Sequence, residues 1–392
     1  MLTEERKMKL KLLARDLVSI KSLSGEEGEL VEYLQKTMEF FSFQSIEVDE
    51  AGNIIGGVKG EHSGKKILLD AHLDTVPAED KDKWEKDPFT GAIRDDRIYG
   101  RGASDMKGAL AAMLCAVAFF KEDYGKDFSG EIYISGIVLE EFLEGVAARK
   151  VSEKVNPDFV IIGEASDLRI NIGQRGRAEV VLETFGRPVH SSQPQFGHNA
   201  VYDMVKIIER IKTFKPSKHL LLGEGILELT DIISEPYPGA SVVPSYCRAT
   251  FDRRLLPGED KEIIFKQIDE LLAGGDILEW GISIPVLERP TWRNTTLIAE
   301  QFLLPWVIAR DHPLVKMAEE GLKKQGLDPQ LGHYSFCTNG SHYAGEKGIP
   351  TIGFGPSRES LAHVDNEYIE IEQLEKGCRG YYGLLQSLCK TN

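Results

Sequence analysis

Cysteine is scarce in this sequence. Five cysteines occur among 392 residues, and they stand apart at positions 115, 247, 337, 378 and 389. An odd number without a short-spaced pair argues against a disulfide framework and against a thiolate zinc site. We therefore expect any metal ion that this chain binds to be held by oxygen and nitrogen ligands.

Positive charge is also in short supply, and long apolar runs are missing. The 62 acidic residues outnumber the 47 lysines and arginines, which gives a formal net charge of -15. This balance argues against nucleic acid and against anionic lipid surfaces as partners. The first seven residues lack the apolar core of a signal peptide, and no uninterrupted apolar run reaches membrane length. We expect a cytoplasmic enzyme with no membrane partner.

The first part of the sequence alternates helical and strand-like patterns. A chain of 392 residues exceeds most single hydrophobic cores, so two domains are expected. Leucines at helical spacing predict a helix over residues 4–20, and Ser24-Gly-Glu-Glu27 predicts a capping box that opens a second helix. Further patterns predict strands at 45–48, 67–69, 132–139 and 159–162, and a helix at 107–120. The alternation predicts an α/β sheet with functional residues at strand ends.

The pattern changes near residue 177 and changes back near residue 290. In between, the sequence predicts strands at 178–182, 247–251 and 282–287, and helices at 200–211 and 261–272. These elements form an α+β block of their own. We therefore predict a discontinuous metal-binding domain of residues 1–176 and 291–392, interrupted by a smaller α+β domain of residues 177–290.

The most informative stretch is the short apolar run that ends in His72-Leu-Asp74. An imidazole and a carboxylate at the end of a buried strand must find partners or a metal ion. Because one residue separates them, both side chains lie on one face of an extended chain. The spacing predicts that the Asp74 carboxylate holds one ring nitrogen of His72 while the other binds a metal ion. The alternative is a hydrogen-bonded His/Asp pair with a structural role.

Further segments place acids or a histidine in similar settings. Asp105 lies in a turn of small residues before a helix, and the other positions are Glu140, Glu141, Glu164 and His363. Taken singly, Asp105 could cap the helix, and the adjacent glutamates could be solvated loop residues. Together they favour a functional site, because a core has no packing reason to gather such groups at strand ends.

This inventory matches the needs of two metal ions. Two ions about 3.5–4 Å apart need one bridging carboxylate and terminal ligands on each ion. Asp105 would bridge, and Glu140 would stay outside both sites as the general base. The terminal ligands would be His72 and Glu164 on one ion, and Glu141 and His363 on the other.

Several blocks of the sequence resemble the signature blocks of the M20 metallopeptidases, in the same order. They lie around His72-Leu-Asp74, Gly100-Arg-Gly-Ala-Ser-Asp105-Met-Lys-Gly108, Glu140-Glu141, Gly163-Glu164 and Gly186-Arg-Pro-Val-His190-Ser-Ser-Gln-Pro. That family includes acetylornithine deacetylase, succinyl-diaminopimelate desuccinylase, aminoacylase and a glutamate carboxypeptidase. The stretch 353–363 is most similar to a bacterial subgroup labelled selenium-metabolism-linked hydrolases. The resemblance implies a zinc-binding α/β domain interrupted by a lid domain that dimerises, with the metal and base roles given above.

The resemblance also adds residues outside the metal cluster. His190 matches a lid histidine that reaches across the dimer to stabilise a developing oxyanion, although its position alone would suggest a loop-capping residue. Arg254 resembles an arginine that receives a substrate carboxylate, and the alternative is a surface salt bridge. Ser241 stands where relatives usually have asparagine in contact with substrate. Asn339 lies in a loop that departs from the family pattern and is expected to contact substrate.

These observations together predict a metal-dependent hydrolase. We expect it to hold two Zn²⁺ ions, with Co²⁺ or Mn²⁺ as alternatives. It would cleave the amide bond of a small N-acyl or N-carbamoyl amino acid, with a metal-bound hydroxide as nucleophile and Glu140 as base. The alternatives are a dipeptidase, aminopeptidase or carboxypeptidase of the same fold and, from another class, a catalytically silent binding protein. A homodimer formed through the lid domain is expected from the resemblance.

Overall fold

The structure is a computed structural model that describes residues 2–79 and 81–389. The chain divides into two units. The first unit comprises the residues up to Gln174, the segment Glu288–Ile298 and the residues from Trp306 onwards, and the second comprises Arg175–Leu287 and Ala299–Pro305. The predicted boundaries did not include residues 299–305 in the second domain. These residues belong there because Phe302 and Leu303 pair with Ala178 and Arg177 in an antiparallel ladder.

The described part of the chain contains eight α-helices, which are α1 Glu4–Ser19, α2 Gly28–Phe40, α3 Gly108–Tyr124, α4 Ala148–Val155, α5 Ala200–Ile211, α6 Lys261–Leu272, α7 Pro313–Lys324 and α8 Ile371–Leu388. The strands are β1 Ser45–Val48, β2 Ile54–Lys59, β3 His62–His72, β4 Ala92–Arg94, β5 Arg97–Tyr99, β6 Ser129–Ile137, β7 Phe159–Ile162, β8 Ile170–Gln174, β9 Gly176–Phe185, β10 Lys218–His219, β11 Gly223–Glu224, β12 Ile226–Glu235, β13 Tyr246–Leu255, β14 Trp280–Ser283, β15 Val286–Pro290, β16 Thr296–Glu300, β17 Phe302–Leu303, β18 Trp306–Val307, β19 Leu331–Tyr334, β20 Thr351–Gly353 and β21 Tyr368–Glu370.

The main sheet of the first unit brings three strand ends to one edge. Its strand order is β1-β2-β6-β3-β7-β20-β8-β18, with β19 paired to β8. Strand β3 runs parallel to both β6 and β7, with His72 opposite Ile137 and Asp70 opposite Ile162. The carboxyl ends of β3, β6 and β7 therefore meet at one edge, where ligands of open α/β sheets commonly bind. The fold class is the predicted one.

Helix α3 is the central helix of the first unit. Its residues from Gly108 to Phe120 are all buried, and it packs against α1 and α8. The stretch Ala103–Tyr124 is long and apolar enough to cross a membrane by length and composition, but its whole apolar window is buried inside the structure. Burial on every face is what is expected of a core helix of a globular protein.

The predicted capping box is not a cap. Helix α2 begins at Gly28, and the N-cap residue Glu27 makes no side-chain hydrogen bond to the helix. The Ser24 hydroxyl instead donates to the Asp74 carboxylate at 2.6 Å. The segment Ser24–Glu27, whose sequence is typical of a helix start, is therefore bonded to Asp74, which is distant in the sequence.

The second unit is built on an antiparallel sheet with the order β12-β13-β9-β14, with β17 also paired to β9. Alternate residues of β9 and β13 form its core with one face of α5 and of α6. The strand predicted at 282–287 is broken between β14 and β15. Pro285 lies in the gap, and its missing N–H group cannot take part in a ladder.

Candidate metal centre

His72 is the last residue of β3 and is 1% exposed. Its Nδ1 lies 2.9 Å from the backbone carbonyl oxygen of Asp74, whereas the nearer Asp74 carboxylate oxygen is 3.7 Å away. The ring is therefore held by the backbone of Asp74 and not, as the spacing predicted, by its carboxylate. An Nδ1–H group that donates to this carbonyl leaves the Nε2 lone pair for a metal ion.

Asp105 stands between two histidines. One carboxylate oxygen lies 2.9 Å from His72 Nε2, and the other lies 3.1 Å from His363 Nε2. Helix α3 starts after Lys107, and its N-cap makes no side-chain hydrogen bond. The helix-cap alternative for Asp105 is therefore wrong, and its two oxygens are arranged as those of a bridging ligand.

Two groups of candidate ligands share Asp105. The first group is His72, Asp105 and Glu164, and the second is Asp105, Glu141 and His363; within each group the donor atoms lie within 4.8 Å of one another. In the first group His72 Nε2 is 3.5 Å from Glu164 Oε1, and in the second His363 Nε2 is 3.0 Å from Glu141 Oε2. The structure thus brings together all five residues that the sequence nominated as metal ligands.

Buried carboxyl groups dominate this cluster. Burial raises the pKa of Glu140 and of Glu164 well above the ordinary glutamate value, and it raises the pKa of Glu141 as well. Hydrogen bonds with Asp105 and Glu141 raise the pKa of His363 to about 10. Burial acts to raise the pKa of Asp105, but hydrogen bonds from the two histidines outweigh it and lower that pKa.

The donor set fits divalent cations. The cluster contains four carboxyl groups and two imidazoles. When the carboxyl groups are ionised, their negative charge exceeds the positive charge of the rings even if both rings are protonated; the four acids are Asp105, Glu140, Glu141 and Glu164. Buried carboxylates need cations or hydrogen-bond donors to repay their desolvation. Oxygen and imidazole donors around a shared carboxylate could hold two divalent cations.

Glu140 belongs to neither group of ligands. It is 5% exposed, and its Oε1 has no hydrogen-bond partner among the described residues. Its backbone N–H and that of Glu141 donate to the two oxygens of Asp74, at 3.0 and 3.1 Å. Leu139 has a φ of 56°, so the chain leaves the alternating geometry of β6 before the two glutamates. A buried carboxylate with an unused oxygen beside the ligands is suited to accept a proton.

His190 and Ser241 lie together in the second unit. Ser191 N–H donates to the Ser241 carbonyl at 2.9 Å, and His190 forms a bridge with Val242. The exposed His190 ring accepts at Nδ1 from the backbone N–H of Ser192 at 3.2 Å. A neutral ring that accepts at Nδ1 carries its hydrogen on Nε2. Ser241 has a φ of 54°, a conformation in which asparagine is better tolerated than serine.

Two predicted substrate contacts have protein partners. Arg254 donates through Nε to the Asp252 carboxylate at 2.7 Å, which is the salt bridge of the alternative interpretation. Asn339 is 2% exposed; its Oδ1 accepts from Gly145 N–H and its Nδ2 donates to the Asp70 carboxylate. The Asn339 amide is therefore a buried structural group in the first unit and not the predicted substrate contact.

The sequence did not reveal the support beneath Asp105. The buried Glu367 carboxylate accepts from the backbone N–H groups of Ser104 and Asp105, and it forms an ion pair with the buried Arg101 at 2.8 Å. A signal was available, because Arg101 lies between glycines in the Asp105 turn and Glu367 follows His363 closely. A charged residue that lies among small residues beside a candidate metal ligand is a candidate for an ion pair that supports that ligand's turn.

Comparison with known proteins decides the family. The profile of peptidase family M20/M25/M40 matches residues 68–387. The chain belongs to this family. It is 33% identical over 364 residues to the protein named "Uncharacterized protein YgeY" of Escherichia coli K12, covering 90% of this chain and 88% of that protein. It is 25% identical over 385 residues to "Succinyl-diaminopimelate desuccinylase 2" of Ruegeria sp., covering 92% of this chain and 90% of that protein.

A solved structure shows the same fold. The YXEP protein of Bacillus subtilis, described as a dinuclear metal binding peptidase from the M20 family, covers 100% of both chains with a TM-score of 0.71 at 14% sequence identity. The predicted resemblance to the M20 family is confirmed. This M20 chain is a metal-dependent hydrolase of amide or peptide bonds.

Removal of the shared carboxylate tests the M20 metal centre. We expect Asp105→Ala to lose up to about two equivalents of bound divalent metal, measured by elemental analysis of the purified protein. The matched control is Asp127→Ala, which alters an exposed acid and imidazole group with Glu61 and His62. Unchanged metal content in Asp105→Ala would contradict the assignment, as would equal losses in both variants.

The two adjacent glutamates have separable expected roles. Glu140→Gln should keep the metal content of the parent and lower kcat by about 10²–10⁴-fold, because only the proton acceptor is removed. Glu141→Gln should lose about one equivalent of metal. Metal loss in Glu140→Gln together with retention in Glu141→Gln would reverse the two roles.

Proposed function

We propose that this M20 enzyme hydrolyses the amide bond of a small N-acyl or N-carbamoyl amino acid at a site that binds two divalent cations. One observation carries the proposal. The two groups of donors share Asp105, and the buried Glu140 beside them has an oxygen without a hydrogen-bond partner in the described part of the chain. Ligands and a separate base are the parts that metal-assisted amide hydrolysis needs.

The metal-binding residues divide into two pairs around one bridge. Asp105 would contact both ions, His72 and Glu164 would hold the first, and Glu141 and His363 would hold the second. Bound cations would activate a water molecule and polarise the scissile carbonyl. Zinc is the ion we propose, and cobalt or manganese also suits imidazole and carboxylate donors.

Glu140 is the proposed proton carrier. Its carboxylate would take a proton from the attacking water and deliver it to the leaving nitrogen. The Asp74 carboxylate holds the backbone N–H groups of Glu140 and Glu141, so Asp74 would act by fixing the turn that carries the base. This is a different route from the orientation of His72 that the sequence predicted.

His190 is the proposed oxyanion donor. With Nδ1 engaged by Ser192 N–H, Nε2–H is the ring's available donor, and one such donor can contribute about 2.7–4 kcal/mol to transition-state stabilisation. Arg254 would receive the substrate carboxylate, in exchange for or in addition to Asp252. Ser241 lies beside His190, because its carbonyl accepts a hydrogen bond from Ser191 N–H, and it would contact substrate there.

The choice of a deacylase rests on the named relatives. A desuccinylase matches along 92% of this chain, and desuccinylation is the removal of an N-acyl group. The second candidate function is peptide hydrolysis, which the peptidase description of the YXEP protein favours. A catalytically silent binding protein is disfavoured, because such a protein has no chemical need for a buried Glu140 with an oxygen that lacks a hydrogen-bond partner among the described residues.

We propose a homodimer formed through the second unit. Strand β12 lies at an edge of that unit's sheet, and Ile226, Ile232 and Ile233 on it are exposed. A long edge strand with exposed apolar side chains is a site for pairing with another chain.

We place the enzyme in the cytoplasm, since Cys115, Cys247, Cys378 and Cys389 are buried thiols suited to a reducing compartment.

A substrate screen tests the proposed function. N-acetyl, N-succinyl and N-carbamoyl amino acids and dipeptides would be incubated with the enzyme, with and without a chelator, and amine release measured. We expect turnover of at least one acylated amino acid, lost with chelator and restored by divalent metal. Turnover of dipeptides alone would replace the deacylase assignment by the peptidase one, and chelator-resistant turnover would contradict both.

Loss of the oxyanion donor gives a second test. We expect His190→Ala to lower kcat by about 10²–10³-fold while metal content is unchanged, because a transition-state donor is removed and no ligand is touched. The matched control is His219→Ala, which alters another histidine of the second unit whose Nδ1 accepts backbone N–H groups. Equal effects of the two substitutions would sink the assignment of His190.

A further inference from the structure

The segment of residues 22–27, which resembled a capping box in the sequence, is bonded to the strand end that carries His72. The Ser22 hydroxyl donates to the Leu73 carbonyl at 2.7 Å, and the Ser22 carbonyl accepts from Thr75 N–H at 2.9 Å. These bonds hold the segment on both sides of the chain around Asp74. It therefore lies beside the site although no ligand comes from it.

Ser24 contacts the same carboxylate that holds the catalytic turn. Its hydroxyl donates to Asp74 Oδ2 at 2.6 Å, and that oxygen also accepts from Glu141 N–H. The other oxygen of Asp74 accepts from Glu140 N–H. Asp74 is 0% exposed, so these donors compensate a fully buried carboxylate and fix its orientation.

Glu27 holds the residue before the two glutamates. It is 0% exposed, and its Oε1 accepts from Leu139 N–H at 3.0 Å and from Gly25 N–H at 2.9 Å. Leu139 has a φ of 56°, a left-handed conformation that is unfavourable for an apolar residue. Such a conformation persists only when its surroundings fix it, and the Glu27 carboxylate supplies one of those contacts.

We propose that Ser24 and Glu27 are positioning residues that fix the turn of residues 139–141 and so aim the Glu140 carboxylate. Ser24 acts through Asp74, and Glu27 acts directly on Leu139. This inference rests on the proposed role of Glu140 as base. Among the described residues, neither side chain is hydrogen-bonded to the side chain of a candidate metal ligand, and neither caps helix α2.

Variants of Glu27 separate positioning from general packing. Glu27→Leu keeps the side-chain volume but removes the acceptor for Leu139 N–H; it should lower kcat by about 10–100-fold, because small misplacements of a catalytic group are costly. KM should change by less than about 3-fold and metal content should stay at the parent value. Glu27→Gln retains an acceptor oxygen and should recover most of the lost kcat.

The neighbouring residues supply a milder variant and a control. Ser24→Ala removes one donor of Asp74 and should lower kcat by about 3–10-fold. Glu26→Leu is the matched control, because Glu26 is the adjacent exposed glutamate and forms a surface ion pair with Lys21. It should leave kcat unchanged. Parent-like kcat in both Ser24→Ala and Glu27→Leu would overturn the proposal, as would an equal loss in Glu26→Leu.

A double variant distinguishes this proposal from failure of the proposed function. If Glu27 acts through Glu140, then Glu27→Leu should cause no further loss of kcat in a Glu140→Gln background. Independent, multiplying losses would show that Glu27 acts elsewhere and would overturn the positioning role. Full activity of Glu140→Gln alone would overturn the proposed base, whereas an inactive Glu140→Gln with fully active Ser24 and Glu27 variants would overturn only the present inference.

Discussion

The burial of several carboxylates at one edge of the main sheet is the constraint on which the rest of the site depends. Removal of a carboxylate from water is costly unless a cation or hydrogen-bond donors replace the lost hydration. Three acids at this edge have such partners: Asp105 has two imidazoles, Glu367 has Arg101 and two backbone N–H groups, and Asp74 has backbone N–H groups and a hydroxyl. We propose that divalent cations compensate the remaining candidate ligand carboxylates.

The parallel strands explain how both donors and acceptors reach this edge. Strands β3, β6 and β7 end together, and beyond the end of β6 the backbone N–H groups of residues 138–141 donate to side chains and not to neighbouring strands. Asp74 follows β3 and accepts N–H groups from the turn that follows β6. The topology that collects the metal donors therefore also supplies the hydrogen bonds that hold them. A change at residues 22–27 can reach Glu140 because it acts within this shared edge.

The sequence predicted what depends on chain direction and periodicity. Residues at the ends of apolar strands must converge when those strands are parallel neighbours, so the sequence alone could place His72 and Glu164 together. Contacts between distant segments that share no hydrophobic periodicity could not be predicted from the sequence. Ser24 bonds Asp74 across 50 positions in the sequence, and Asn339 bonds Asp70 across 269. In both cases a local interpretation, a helix cap or a loop contact, was preferred because the distant partner has no signature in the sequence.

The contrast between Glu140 and Glu141 follows from the turn that carries them. Glu140 is buried and Glu141 is partly buried, and burial raises the pKa of both. His363 contacts Glu141, whereas an oxygen of Glu140 has no hydrogen bond among the described residues. Cations bound at the two groups would favour ionised Glu141 and Glu164, since they would be direct ligands. Glu140 lies outside both groups and would keep more of its basicity. We propose that two adjacent carboxylates acquire different roles through environment, in a turn that the left-handed Leu139 separates from β6.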